Sequence, residues 1–293
     1  MSHNSSRDVL RAYLSDRVAL IGAIALAVMV LAALLAPWVA PQNPYDLGTL
    51  SLEDTKLPPG SRGEMSGMFY IFGTDEQGRD MLSAILYGLR TSLLVGAVST
   101  LLAFAVGSAL GLLAGYFGGR LDAMLMRIAD IQLSFPAILI ALILVAVLGQ
   151  GPGKIVAALV AVQWAFYART ARGAALVERN KEYVEAASCL GLSRLRIVFG
   201  HVLPNCMGPL IVVAALQVAS AITLEATLSF LGLGLPITEP SLGLLISNGF
   251  SQMLSGKYWI SIFPGLALLL TIMAINLVAD KLRDIFNPRL QTL

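Results

Sequence analysis

Six long apolar runs, separated by short polar stretches, set the pattern of this chain: residues 18–40, 89–116, 131–148, 155–171, 207–231 and 259–279. Each approaches or exceeds the ~17 to 25 residues that a helix needs to cross a ~30 Å hydrocarbon layer. The runs are rich in Leu, Ala and Val and far too long for barrel strands. They are expected as helices, because a helix satisfies its own backbone groups in lipid. The predicted fold is therefore an all-α membrane protein with six transmembrane helices. Its expected parts are a leader (1–17), a first transmembrane helix (18–40), an external loop (41–88), a five-helix core (89–279) interrupted by a polar segment (182–205), and a tail (280–293).

Composition sharpens this picture. Of 293 residues, 57% are hydrophobic and only 13% are charged, the balance of a chain that lives in lipid and leaves no room for a second, soluble domain. The basic residues are unevenly placed. Arg7, Arg11 and Arg17, Arg120 and Arg127, the six in 169–196, and Lys281, Arg283 and Arg289 make fourteen on one side, against six on the other. The positive-inside rule then puts both termini and the polar segment in the cytoplasm. The net charge of +2 gives no reason to expect a nucleic-acid partner. The N-terminal run is longer than the ~7 to 15 residues of a signal peptide, and Pro37 and Trp38 spoil a cleavage site, so it is expected to stay as a helix. Residues 8–16 suit a short amphipathic helix at the inner surface. Cys189 and Cys206 fall near the cytoplasmic face, where thiols stay reduced, and neither a disulfide nor a zinc site is expected.

The polar segment 182–205 predicts helix, glycine turn, helix. Glu182 and Glu185 suit the first turn of a helix ending before Gly191, Ser193 can cap a second helix carrying Arg194 and Arg196, and Pro204 ends or kinks the segment. Small Ala186 and Ala187 would let the first helix approach another surface, with Glu185 giving the contact a charge. From the residues alone, a docking helix and an amphipathic helix resting on anionic headgroups through its arginines are equally supported.

Elsewhere the loops carry most of the information. Asp75, Gly78, Arg79 and Asp80, in Gly73-Thr74-Asp75-Glu76-Gln77-Gly78-Arg79-Asp80, predict a hydrogen-bonded turn that caps the second helix, with Arg79 paired to a carboxylate. Gly107 and Gly111 have the spacing for close helix packing, expected here to be internal. Pro136 should kink the third helix. Gly149-Gln150-Gly151-Pro152-Gly153-Lys154 is not a phosphate loop: its glycine spacing is one short and Ile155 stands where Ser or Thr is needed. Any ATP hydrolysis must occur on another polypeptide. Glu225, an ionisable group in an apolar run, is expected either to line a pathway or to serve a structural, hydrated role. His201 is expected to form a structural hydrogen bond.

At these residues the chain resembles a known family. Glu185-Ala186-Ala187, then Gly191, Ile197 and Leu203-Pro204 resemble the EAA loop of ABC-importer permeases, with a longer gap before the last pair. The Gly73–Asp80 string, Glu225 to Gly234, and the ending 276–284 with Asn287-Pro288-Arg289 are similar to the dipeptide, oligopeptide and nickel branch, with Ala279 for Gly and Asn287 for Asp. The resemblance implies a type I ABC-importer permease in a bacterial inner membrane, without catalysis or cofactor of its own. It implies coupling through Glu185, Ala186, Ala187, Gly191, Ser193, Arg194 and Arg196 to two ATPase subunits that bind ATP and Mg. A second homologous permease, a periplasmic or lipid-anchored substrate-binding protein and membrane lipid are the other implied partners. Dipeptides or oligopeptides are the first cargo expected and a nickel or metal chelate the second. An ion-coupled secondary transporter would need mid-membrane ionisable groups, and apart from Glu225 the apolar runs are nearly free of them.

Overall fold

A computed structural model describes residues 16–286 and Tyr13, apart from Leu47, Thr49 and Ser51. Most of the expected leader helix, His3, and the closing Asn287-Pro288-Arg289 lie outside the described residues. Ten α-helices follow one another among them: α1 (Arg17–Val39), α2 (Met81–Phe117), α3 (Gly119–Leu133), α4 (Ala137–Leu148) and α5 (Pro152–Glu178) come first. After these come α6 (Glu182–Cys189), α7 (Arg194–Ile197), α8 (Leu203–Phe230), α9 (Leu242–Phe250) and α10 (Trp259–Phe286). The single sheet is a two-residue antiparallel hairpin, β1 (Ser61–Arg62) with β2 (Phe69–Tyr70), in the loop before α2. The chain is thus all-α.

The first two membrane-crossing candidates start where a side chain can hold the free N–H groups of a first turn. Asp16 caps α1 by accepting from Val18 (3.0 Å) and Ala19 (3.3 Å), and its second oxygen takes Lys281 of α10 at 3.1 Å, which joins the start of α1 to the last turns of α10. Asp80 caps α2 by accepting from the Ser83 N–H at 2.8 Å and its hydroxyl at 2.6 Å. That cap places the start of α2 at Met81, well before the expected residue 89, and the external loop is correspondingly shorter.

Packing, not apolar burial against water, must hold these helices together in lipid. The most extensive contact is between α2 and α5. A Cβ at Gly107 would lie 2.3 Å from the Trp164 carbonyl oxygen and one at Gly111 only 2.1 Å from that of Ala168. The glycine pair therefore lets two backbones touch inside one chain. Around this seam Ala103, Leu112, Tyr167 and Ala171 form a buried cluster continuous with α6 to α8. A second cluster joins Val95, Val145, Leu159 and Leu228. A third, with Met81, Leu89, Leu242 and Trp259, closes the end to which the external loop attaches.

The helices depart from the six expected spans in two places. Four are long and apolar enough to cross a membrane, namely α1, α2, the continuous run Arg194–Phe230 and α10. A fifth is reached by taking α3 and α4 together, although they meet at 94°. The expected 131–148 helix is not one kinked rod. Pro136 has no N–H and disfavours helical geometry in the residue before it, so α3 stops at Leu133 and α4 restarts at Ala137 in a new direction. With 12 residues α4 is about 18 Å long, short of a full crossing. Helix α5 has 27 residues, but Gln163, Arg169 and Arg172 interrupt its apolar run.

The expected loop 236–257 is also more structured than its sequence implies. It contains α9, capped by Ser241, whose hydroxyl accepts from the Leu244 N–H at 3.2 Å. Gly243 and Gly249 leave no room for a Cβ against Ala226 and Ser261 respectively, which wedges α9 between α8 and α10.

Candidate functional site

The most exposed polar construction is the segment between α5 and α8. Glu178, at the end of α5, anchors it: one carboxylate oxygen takes Lys181 Nζ at 2.5 Å and the other the Tyr183 hydroxyl at 2.7 Å. Burial, then the Glu178 hydrogen bond, pushes the Tyr183 phenol above its ordinary range, so it remains a donor throughout the physiological range. From this anchor α6 runs with Val184 and Ala187 buried in the common core and Glu185, Ala186 and Ser188 exposed. The two alanines therefore divide: Ala187 packs inward and Ala186 faces out.

Gly191 ends the first helix in a left-handed conformation (φ +75°), which Gly adopts without strain, and the Leu192 N–H returns to the Ala187 carbonyl at 3.2 Å. Ser193 occupies the position before α7, but its side chain makes no capping hydrogen bond, contrary to expectation. Arg194 and Arg196 are exposed, as are Leu190 and Leu195, at 80% and 57%. Apolar side chains bared beside charges of both signs make a surface suited to a protein partner. A cleft of about 500 Å³ opens beside it, lined by Tyr116, Phe117, Arg179, Lys181, Glu185 and Arg194 among others. Arg179 reaches back to the Gly115 carbonyl at 2.8 Å and fixes the cleft to the end of α2.

Pro204 does not end this segment. Helix α7 passes through a π turn, Val198–Val202, straight into α8, and the Leu203 N–H bonds to the Val198 carbonyl five residues back. The wider turn absorbs the N–H that Pro204 lacks. His201 sits in this turn with Nδ1 3.5 Å from the Arg196 carbonyl. Arg194 and Arg196 thus stand at the start of a helical run that continues to Phe230, while Glu185 and Ala186 sit on the separate helix α6, joined to it through the Gly191 turn.

Deeper in the protein, Glu225 is fully buried. Its oxygens accept from Ser92 of α2 at 2.7 Å and Ser229 at 2.8 Å, with Ser241 a third hydrogen-bonding neighbour. In this conformation the Glu225 side chain has no exposed surface and fastens α8 to α2 and to the entry of α9. A buried carboxylate is tolerated because its acceptor sites are filled.

The Gly73–Asp80 turn is a second buried network. Arg79 Nε lies 2.6 Å from Asp75 Oδ2, and the other Asp75 oxygen accepts from the N–H groups of Gln77 (2.8 Å) and Arg79 (3.0 Å). Gly78 has a left-handed backbone (φ +76°) that closes the turn. Trp259 donates to the Thr74 carbonyl at 3.2 Å and so joins this turn to α10. These residues hold the start of α2 and the start of α10 together and present no open site.

Three features escaped the sequence reading. Glu178 is conspicuous only once Lys181 and Tyr183 converge on it. Arg172 makes a two-point pair with Asp122 across α5 and α3, at 2.5 and 2.8 Å, and Arg169 pairs with Asp130 at 2.5 Å. Both arginines lie inside α5, which continues past the expected end of its apolar run at residue 171 to Glu178; the spacing of three between Arg169 and Arg172 was the available signal for one polar helix face. Among the described residues no group of three or more His, Cys, Asp or Glu is placed to hold a metal ion.

A family model described as the binding-protein-dependent transport system inner membrane component matches residues 107–292. Another, described as the N-terminal TM domain of oligopeptide transport permease C, matches residues 5–59. Among curated proteins, the di/tripeptide transport system permease protein DppC of Pseudomonas aeruginosa is 39% identical over 285 residues, 97% of this chain and 92% of that one. The probable D,D-dipeptide transport system permease protein DdpC of Escherichia coli is 40% identical, covering 91% of this chain and 86% of its own length. The dipeptide transport system permease protein DppC of Bacillus subtilis is 36% identical over 98% of this chain and 86% of its own.

Proposed function

The chain belongs to the family of binding-protein-dependent transport system inner membrane components, and from that premise we propose that it is one permease subunit of an ATP-driven importer of short peptides. It is a non-catalytic membrane subunit. Its relatives are named for dipeptide, di/tripeptide and D,D-dipeptide transport, which favours a peptide cargo over a metal chelate.

In this reading the chain takes the six-span, type I arrangement, with α3–α4 and α5 completing the spans, and both termini in the cytoplasm. A second homologous permease supplies the other half of the pathway. Two ABC ATPases, which carry the ATP and Mg, dock on the α6–α7 surface, and a binding protein delivers peptide from the outside.

The observation that carries the proposal is the continuity of α7 with α8 through the π turn, with α6 packed against the same core and joined to α7 by the Gly191 turn. A push on Arg194 or Arg196 acts directly, and one on Glu185 or Ala186 through the α6 core contacts of Val184 and Ala187, on one end of a membrane-crossing helix whose far half is fastened to α2 by Glu225 and Ser92. Closure of the ATPases is thereby converted into relative movement of helices, the domain-scale rocking expected of alternating access. The test is reconstitution of the chain with its partner permease, ATPases and binding protein in vesicles. ATP-dependent uptake of a labelled dipeptide supports the reading. Uptake that persists without ATP but collapses with the proton gradient refutes it.

A further inference from the structure

Two cavities open between the helices, and they differ in chemistry. One, of about 370 Å³ between α1, α2, α8 and α10, is almost wholly aliphatic. The other, of about 460 Å³, lies between the α3 end, α5 and α8, and its lining includes Leu133, Phe166, Arg169, Thr170, Leu216 and Gln217. The first has Arg90 as its one charged lining residue, whereas the second combines Arg169, Thr170 and Gln217 on two facing helices. Ionisable groups inside membrane helices face water-filled cavities and mark the routes of polar cargo.

We propose that this second cavity is the part of the permease that receives the peptide, as a zwitterion with both ends free; the inference rests on the reading of the chain as a peptide-importer subunit. Three observations converge on it. Arg169, which lines the cavity, holds its Nη2 2.5 Å from Asp130 Oδ1, with 59% and 50% of the two side chains exposed. An ion pair so exposed contributes little to stability, and its two members exchange partners readily. A free peptide offers the matching charges: its carboxylate to Arg169 and its ammonium to Asp130.

Next, Gln217 is nine-tenths buried, lines the cavity, and its Oε1 has no hydrogen-bond donor. Its neighbour Gln163 is fully buried, donates to the Gln217 main-chain carbonyl at 3.0 Å, and likewise has an unfilled Oε1. Buried acceptors without donors are rare in folded proteins, and a ligand that brings donors accounts for them. A peptide N–H in the cavity becomes such a donor once the Gln217 side chain, whose Oε1 is here turned away from open space, rotates toward it. Finally, the volume lies within the range that encloses small ligands, and Phe166, Leu133 and Leu216 give apolar walls that accept varied side chains without choosing among them.

The test uses the complete transporter in vesicles, with a dipeptide that carries a photoreactive benzophenone side chain, prepared both with a free C-terminus and as its amide. The free dipeptide is expected to label segments of α5 and α8 that line the cavity. Arg169→Gln should cut that labelling, and uptake, about tenfold, equivalent to ~1.4 kcal/mol. Arg169→Lys should restore most of both, and the amidated peptide should be insensitive to the change. Gln217→Leu, which keeps the volume and leaves the ion pair in place, should lower labelling by both peptides. Wild-type labelling and uptake in Arg169→Gln and Gln217→Leu would overturn the cavity assignment while leaving the importer intact. Failure of the wild-type complex to import any peptide would overturn the functional reading and this inference with it.

Discussion

Glu225 of α8 accepts a 2.7 Å hydrogen bond from Ser92 of α2, a residue 133 positions earlier in the chain. This contact, with Ser229 at 2.8 Å, crosses the tight approach where Gly96 meets Ile222. Replacing Glu225 with Ala leaves both hydroxyls without their acceptor and opens a hole between the helices. A loss of about 1–3 kcal/mol is expected. Glu225→Gln, which keeps one acceptor, should lose less. Thermal unfolding of the detergent-solubilised complex measures both, and equal stability of Glu225→Ala and wild type would contradict the fastening role.

The buried pair Arg79–Asp75 predicts an asymmetric result. Arg79→Ala strands a carboxylate whose surroundings exclude water and should cost ~3–5 kcal/mol. Exchanging Arg79 for Met together with Asp75 for Asn, whose amide oxygen still accepts from the Gln77 and Arg79 N–H groups, should cost much less. Protease resistance of the loop before α2, compared across the single and double variants, reads the difference.

Gly111 has no space for a methyl group beside the Ala168 carbonyl. Gly111→Ala must part α2 from α5, with an expected cost of about 1–3 kcal/mol. Its effect should exceed that of Gly173→Ala, where nothing lies within 4 Å of an added Cβ. Membrane accumulation of the two variants gives the comparison.

Neighbouring alanines should separate folding from coupling. Ala186→Trp adds bulk to an exposed position and should leave stability within about 0.5 kcal/mol of wild type while abolishing ATPase retention on purification. Ala187→Trp, directed into the core, should fail to fold. Normal ATPase retention and uptake in Ala186→Trp would remove the α6 surface as the docking site.

Acidification should loosen the external loop through Asp54. Burial raises this carboxyl, but the hydrogen bonds from Ser66, Met65 and Tyr70 outweigh it and hold it below the usual range. A depressed folded pKa means that the contribution is complete above the unfolded value of about 3.9 and disappears as pH falls through the folded value. Hydrogen exchange of the Glu64 and Ser66 amides, which donate to Asp54 at 3.0 and 3.2 Å, should therefore accelerate in the acid range below pH ~4. In Asp54→Asn that acid-specific step should vanish.

What the sequence made legible was local or compositional. Long apolar runs announce helices in lipid because no other open structure satisfies the backbone there. Gly191 marked a helix end because its left-handed backbone is set by immediate neighbours. The cap at Asp80 was readable as a turn, but its power to start α2 at Met81 depends on Ser83 and on Met81 being buried by Leu242 and Trp259. Pro136 announced a disturbance and not its size, since the 94° angle is set by how α4 packs on α5. The complete burial of Glu225 was not legible because Ser92, its partner from another helix, lies 133 residues earlier in the chain. Helix α9 was hidden for the same reason: a loop rich in Gly and Ser reads as irregular until Ala226 and Ser261 are brought against its glycines.

The π turn at Val198–Val202 has one further consequence. A turn that takes up an extra residue offsets the angular phase of everything beyond it by about 100°, the rotation of a single residue in an α-helix. Gln217, Ile222 and Glu225 all lie downstream, so the direction each one faces includes that offset. Removing one residue from the bulge would leave the composition of the run nearly untouched and swing the carboxylate of Glu225 a quarter-turn away from Ser92.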